Sequence, residues 1–425
     1  AVPLAEARAW TLARYLRERT RFTGTKVGCG QGGCGACTVV MTRREPGADG
    51  ADADPTAPAA PDTEDQENKY YPAASCLYPL VECHGRAVRT VEGLVTPRDA
   101  RPEDAERGAG GGTKEGLSGG EPHPIQKRVA EFHATQCGFC TPGMVMAMFG
   151  ALNRSGGGAA FDGAEAIENE DVLAGNLCRC TGYRPLNAAL KSFARGTEQK
   201  DHIGNVSRGT TFGPYDSAGV DPTPVDMTTV PALAAPFRPT TLDALVAAFV
   251  ASGPDTLVVA GHTGHGVYGE DLRSMFREEA DVLHIRGVRA LHAITSTNTK
   301  NNASTELRVG AAATIAQFID VLGANKALAK NNVAVALREH ASLIAGHQIR
   351  NVGSVGGNVM MCRDRGFASD LATILCGVDA HVEYVTRGQT NDTVQSASLH
   401  TFLTAADRAA ALLLAITISI PNDNN

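Results

Sequence analysis

No apolar run in this chain of 425 residues approaches the roughly 18 to 20 of a membrane span. The longest, AALLLAITISI at 410–420, reads as a buried strand. There is no basic stripe either: Lys, Arg, Asp and Glu are intermixed at a net charge of −7, which argues against nucleic acid as a partner. The opening AVPLAEARAW has neither an initiator Met nor a basic-then-apolar leader pattern, so the expectation is a trimmed, cytoplasmic, non-secreted chain. A disulfide framework fits poorly, because the 11 cysteines are an odd count in a chain far larger than the small secreted domains that depend on disulfides. What is present is 43% hydrophobic residues over a length suited to two to four domains, enough to bury real cores.

The cysteines are clustered. GCGQGGCGAC at 28–37 holds Cys29, Cys34 and Cys37 in C-x4-C-x2-C spacing, and Cys76 follows 39 residues after Cys37. That is the plant-type ferredoxin pattern for a [2Fe-2S] cluster, in which each iron takes two thiolates. The glycines suit it, since a loop wrapped closely round a cluster needs backbone angles barred to residues with a Cβ, and its bare N–H groups can point at sulfur. Structural zinc more often takes C-x2-C pairs. A second set, Cys137 and Cys140 in QCGFC and Cys178 and Cys180 in NLCRC, lies beside predicted helix termini, where exposed N–H groups stabilise thiolates. Taken alone this set also fits zinc; downstream of a ferredoxin-like set it reads as a second relay cluster. Cys83, Cys362 and Cys376 are expected to be buried apolar fillers.

The pattern predicts an α+β multidomain chain. Residues 1–97 form a small unit with a helix over WTLARYLRER and short strands in SCLYPLVECHGRAVRTVEG, interrupted at 43–68 by a disordered insertion. A linker follows at 98–123, then a helical unit at 124–195, a second linker at 196–235, and an α+β domain at 236–425. In the last, AGHTGHG at 260–266 follows an apolar strand and offers N–H groups to a pyrophosphate, although it lacks the G-x-G-x-x-G order of a Rossmann fold and also reads as a plain turn. His262 and His265 have no third partner in sequence for a metal. IRNVGSVGGNV at 349–359 is a second glycine-rich segment, expected to join helix to strand.

KVGCGQGGCGACTVV, AASCLYPL, QCGFCTPGMVM and GNLCRCTGYRP resemble the four signature segments of the molybdenum hydroxylases, the xanthine dehydrogenase and aldehyde oxidase family. The resemblance implies a β-grasp 2Fe-2S ferredoxin-like domain, a four-helix 2Fe-2S domain and a vanillyl-alcohol-oxidase-type FAD-binding domain that is C-terminally incomplete, with the molybdopterin domain beyond it. By the same resemblance Gln136 and Cys180 lie beside molybdopterin. The flavin site is implied to comprise Leu257, Val258, Val259, Ala260, Gly261, His262, Thr263, Gly264, His265 and Gly266, together with Ile344, Ser354, Gly357, Asn358 and Asp370. Two positions depart from the family: it commonly has Asn where this chain has His262, and xanthine dehydrogenases have an aromatic residue where this chain has Ile344. FASDLATIL and LVVAGHTGHGVY lean toward plant aldehyde oxidases. The implied activity is aldehyde oxidation in a homodimer, with electrons passing from molybdopterin through both clusters to FAD and then to oxygen. The alternatives are a xanthine dehydrogenase or oxidase using NAD or oxygen, a stand-alone iron-sulfur flavoprotein carrier, and a zinc-stabilised interaction protein.

Overall fold

The computed structural model describes residues 7, 10–42, 70–84, 86–95, 122–154, 171–193, 238–264, 282–299, 303–325, 328–388, 394–406 and 409–422. The insertion expected at 43–68, most of the 98–123 linker and all of the 196–235 linker lie outside them, as do His265 and Gly266. Among the described residues no helix is long and apolar enough to cross a membrane.

The first unit packs helix α1 (Leu12–Glu18) on a three-stranded antiparallel sheet ordered β2-β1-β3, with β1 at Thr38–Thr42, β2 at Tyr70–Ala74 and β3 at Val88–Arg89. Thr11 caps α1 by accepting from Arg14 N at 3.3 Å. Leu12 and Leu16 face Val39, Met41, Tyr71 and Ala73 in one apolar cluster, and burying each such large side chain contributes about 1.5–3 kcal/mol. The strands expected in SCLYPLVECHGRAVRTVEG are mostly absent. Leu80–Cys83 and Val91–Leu94 are 3₁₀ turns, and only Val88–Arg89 pairs as strand. The reason is burial on every side: Leu80 to Cys83 are all buried, so no solvent face exists for alternation to mark, and Pro79 just before them has no N–H to give a ladder.

The helical unit comprises α2 (Pro124–Glu131), α3 (Thr141–Arg154) and α4 (Arg184–Lys191); the spacing of AIENEDVLAGN at 166–176 predicts a further helix, but Asp171–Leu173 is a 3₁₀ turn. Residues 166–170 of that segment are outside the described set. α2 opens with a capping box, Ile125 N donating to His123 Nδ1 at 3.2 Å and His123 N to Gln126 Oε1 at 2.8 Å. The spacing of HPIQKRVAEFHATQ predicts a helix to 136, but α2 ends at Glu131, because His133 takes φ +52° and turns the chain toward the first cysteine pair.

The third unit holds α5 (Leu242–Ala251), then a parallel pair β4 (Leu257–Val259) and β5 (Val282–His284). A five-stranded antiparallel sheet follows, ordered β6-β7-β10-β8-β9, from β6 (Ile294–Asn298), β7 (Ser304–Gly310), β8 (His381–Thr386), β9 (Gln395–Ser398) and β10 (Ala411–Pro421). Helices α6 (Ile315–Ala324), α7 (Asn332–Ser342), α8 (His347–Arg350), α9 (Val355–Arg365), α10 (Asp370–Gly377) and α11 (Leu399–Thr404) complete it, most of them packed on one apolar core with Phe318, Val359 and Ile416. IRNVGSVGGNV therefore joins helix α8 to helix α9 rather than helix to strand. Ser354 caps α9 by accepting from Gly357 N at 3.0 Å, a signal that outweighs the glycines' poor helix propensity. Cys83 is fully buried as expected, but Cys362 and Cys376 are only half-buried, because α9 and α10 each cover the core with one face.

A buried polar seam joins the first unit to the third. Glu82 Oε1 lies 2.7 Å from His284 Nδ1, and its Oε2 is 3.8 Å from Arg238. Beside it Arg286 donates to the Tyr78 hydroxyl at 3.1 Å, and Arg86 donates to the Tyr71 hydroxyl at 3.3 Å. Burial alone would raise the Glu82 carboxyl; its hydrogen bond with His284 and the guanidinium groups of Arg238 and Arg286 outweigh that and hold it well below the usual carboxylate range.

Candidate iron-sulfur and flavin sites

Six of the eight ligand candidates approach in pairs as free thiols: Cys29 hydrogen-bonds with Cys34, Cys37 with Cys76, and Cys140 with Cys178, with Cys137 close by, while Cys180 is exposed and not paired with another thiol among these contacts. Among the described residues no three His, Cys, Asp or Glu side chains gather at one point. Paired thiols suit a binuclear cluster, whose irons each take two. The Cys76 thiol pulls Cys37 down to about 7 against the effect of burial, and the same contact together with burial pushes Cys76 up. In the second set burial and the Cys178 contact push the Cys140 thiol up to about 12. Burial also acts upward on Cys178, but the Thr181 hydroxyl at 3.1 Å and Thr181 N–H at 3.5 Å bring it down on balance.

The loops supply the expected N–H groups, as Gln31 N donates to Cys29 Sγ at 3.3 Å. The Tyr183 hydroxyl accepts from Cys178 N at 2.9 Å while its ring packs on the helical core, and Arg184 is the first residue of α4.

The two cysteine sets are neighbours. Leu177 N donates to Cys34 O at 2.9 Å, and the Asn176 side chain donates to Gly35 O at 2.9 Å. On α3, a methyl group added at Gly143 would stand 2.3 Å from Gly35 O. Cys29, Cys137 and Cys180 are exposed, whereas Cys37, Cys76 and Cys178 are buried, so each set has a wet and a dry side. Gln136 is exposed on the same loop as Cys137. Exposed Phe139 and Leu177 stand next to ligand cysteines in the chain.

The flavin candidates converge from two loops. A Cβ on Gly261 would lie 2.0 Å from Val352 O, one on Gly353 3.0 Å from Thr263 Oγ1, and one on Gly264 2.3 Å from Met361 Sδ, so the loop after β4 is laid directly on the start of α9. Asn358 accepts from the Ser369 hydroxyl, and Ser369 caps α10 just ahead of exposed Asp370. Ile344 is half-buried against the main core, its carbonyl held by Arg350 at 3.1 Å. At the N-terminus of α9, the N–H groups of Val355, Gly356 and Gly357 already serve Ala313 O, Ala311 O and Ser354 Oγ. Sequence reasoning missed Gln348 and Asn351, which donate to Gly175 O and Pro72 O and dock the second loop on both cysteine-bearing units. Partners this remote leave no local signal.

The paired thiols and the two glycine loops define an iron-sulfur flavoprotein of two [2Fe-2S] units and one FAD unit. Three family models match in that order: a 2Fe-2S iron-sulfur cluster binding domain at 4–81, a [2Fe-2S] binding domain at 113–191, and the FAD binding domain in molybdopterin dehydrogenase at 233–423. The chain is 31% identical to a probable aldehyde oxidase 1 of Oryza sativa over 97% of its own length and 29% of that protein's. It is 33% identical to an indole-3-acetaldehyde oxidase of Zea mays over 88% of its length and 26% of that protein's. Among solved structures, a reconstituted CO dehydrogenase from Oligotropha carboxidovorans is 25% identical over 43% of this chain and 58% of its own, with a TM-score of 0.33. The chain belongs to the molybdenum hydroxylases, as their N-terminal iron-sulfur and FAD part. It spans less than a third of the length of the curated relatives it matches.

Substituting one ligand separates the two sets. Cys76→Ala is expected to abolish one of the two [2Fe-2S] EPR signals of the dithionite-reduced protein and leave the other at full intensity; loss of both, or of neither, contradicts the ligand assignment.

Proposed function

We propose that this chain is the electron-transfer part of an aldehyde-oxidising molybdenum hydroxylase, passing electrons from a molybdopterin centre through two clusters to FAD and on to oxygen. The observation that carries the reading is the order of contacts. The Cys29–Cys37 loop bonds the Cys178 loop through Leu177 and Asn176, and the turn that carries Cys76 bonds the flavin loop through Leu77 and His262. When bound, the clusters move single electrons and the flavin collects them in pairs.

Cys137, Cys140, Cys178 and Cys180 hold the cluster that receives electrons first, and Gln136 and Cys180 contact the molybdopterin. Exposed Phe139 and Leu177 face the molybdopterin domain of the same enzyme, which excludes water from that side. Cys29, Cys34, Cys37 and Cys76 hold the second cluster. Leu257 to Gly266 carry the pyrophosphate, while Ile344, Ser354, Gly357, Asn358 and Asp370 line the rest of the flavin site. No side chain here acts as a general acid or base. The first unit is read as a β-grasp domain, the second as a four-helix domain and the third as a vanillyl-alcohol-oxidase-type domain, with boundaries at 97, 124, 195 and 236, in a cytoplasmic homodimer. The aldehyde oxidase relatives favour aldehyde over purine as substrate.

Metal analysis with EPR after dithionite reduction tests this. Two distinct [2Fe-2S] signals with bound FAD are expected, and stoichiometric zinc without iron would sink the proposal.

A further inference from the structure

His262 is the one described residue of the first flavin loop with a positive φ, +60°, a conformation that favours glycine and is strained for a side chain of this size. It is also buried, and its Nδ1 lies 2.9 Å from Leu77 O. A carbonyl oxygen only accepts, so Nδ1 carries the hydrogen and donates it. Leu77 follows Cys76 directly in a turn closed by Leu77 N donating to Ala74 O at 3.1 Å. Its side chain shares a small apolar cluster with Cys37 and Cys76, against which Ile349 packs. Ile349 lies on α8, which leads to Val352, and Val352 O underlies Gly261. The contacts close a ring: flavin loop, His262, the Cys76 turn, Leu77, Ile349, Val352 and back to the flavin loop.

We propose that His262 is a positioning residue that couples flavin retention to assembly of the Cys29, Cys34, Cys37 and Cys76 cluster. The proposal rests on the reading of residues 257–264 as a flavin loop. Four thiolates gathered on the cluster hold the Ala74–Leu77 turn in the geometry that meets His262. Without the cluster the turn relaxes, the buried hydrogen bond is lost, and the flavin loop is no longer held in the conformation that binds FAD.

The test is a thermodynamic cycle on the full chain, deflavinated and titrated with FAD under a fluorescence readout, with His262→Ala, Cys29→Ala and the double variant. Cys29 is exposed, so its loss breaks the cluster with little cost in packing. Each single variant is expected to weaken FAD binding about tenfold, the scale of one buried hydrogen bond, and the double variant no further. His262→Ala should keep full iron content while shifting the g values of the nearer cluster alone. His262→Gly relieves the backbone strain without restoring the bond and should bind FAD as weakly as His262→Ala, whereas His262→Asn, a residue at home at positive φ with a donor amide, should recover part of the affinity. Wild-type affinity in His262→Gly, or single effects that multiply in the double variant, overturns the coupling while leaving the flavin site intact. A wild-type chain that takes up no FAD overturns the flavin loop itself and the coupling with it.

Discussion

Glu82→Ala is expected to destabilise the protein by about 3–5 kcal/mol in urea unfolding, the scale for removing one partner of a buried ion pair. The carboxylate is fully buried in the first unit and meets His284 and Arg238 of the third, so its removal leaves the Arg238 guanidinium without its counterion and the His284 ring without its partner inside the seam. Glu82→Gln keeps the shape and part of the hydrogen bonding, and should cost less. The pH dependence follows from the lowered carboxyl: the unfolded chain, near the ordinary value of about 4.3, takes up its proton first as pH falls. The stabilisation is therefore complete above about pH 5 and is lost progressively in acid as pH falls toward the folded value. Between pH 7 and pH 3 wild type should lose more stability than Glu82→Gln, and parallel profiles would exclude a charged Glu82 at the seam.

The second large effect is Gly35→Ala. Gly35 has φ +67°, and an added Cβ would stand 2.4 Å from Gly175 O and 2.6 Å from the Asn176 side-chain carbon. Strain at positive φ and overpacking each cost about 1–3 kcal/mol, and here the obstructing atom is backbone that cannot rotate away. The seam between the two cysteine sets should open, with lowered iron content and perturbation of both EPR signals. Gly253→Ala, whose added Cβ meets nothing within 4 Å, is the control and should leave both signals unchanged.

The short-range features were readable in advance. The helix α1, the strand β10 and the cysteine runs Cys29–Cys34–Cys37, Cys137–Cys140 and Cys178–Cys180 follow from patterns only a few residues long. Where reading failed, burial removed the signal: Leu80 to Cys83 have no exposed face to betray their 3₁₀ turn, and the glycines of α9 mask a helix that its Ser354 cap and its packing on the main core make possible. Cys362 and Cys376 looked like core thiols because sequence does not say which side of a helix faces inward.

Sequence by itself determined the chemistry. Cysteine spacing and glycine placement act within single loops, where chain geometry alone brings Cys29, Cys34 and Cys37 close, so the cysteine motifs and a glycine-rich loop were legible; bringing Cys76 to Cys37 and Cys178 to Cys140 takes the fold. Tertiary structure decided their order and coupling. Leu77 and His262 are 185 residues apart, and Glu82 meets His284 across a still longer separation, so neither contact exists until the units pack. What makes these contacts strong is the exclusion of water around them, and that follows from the packed cores rather than from any local pattern.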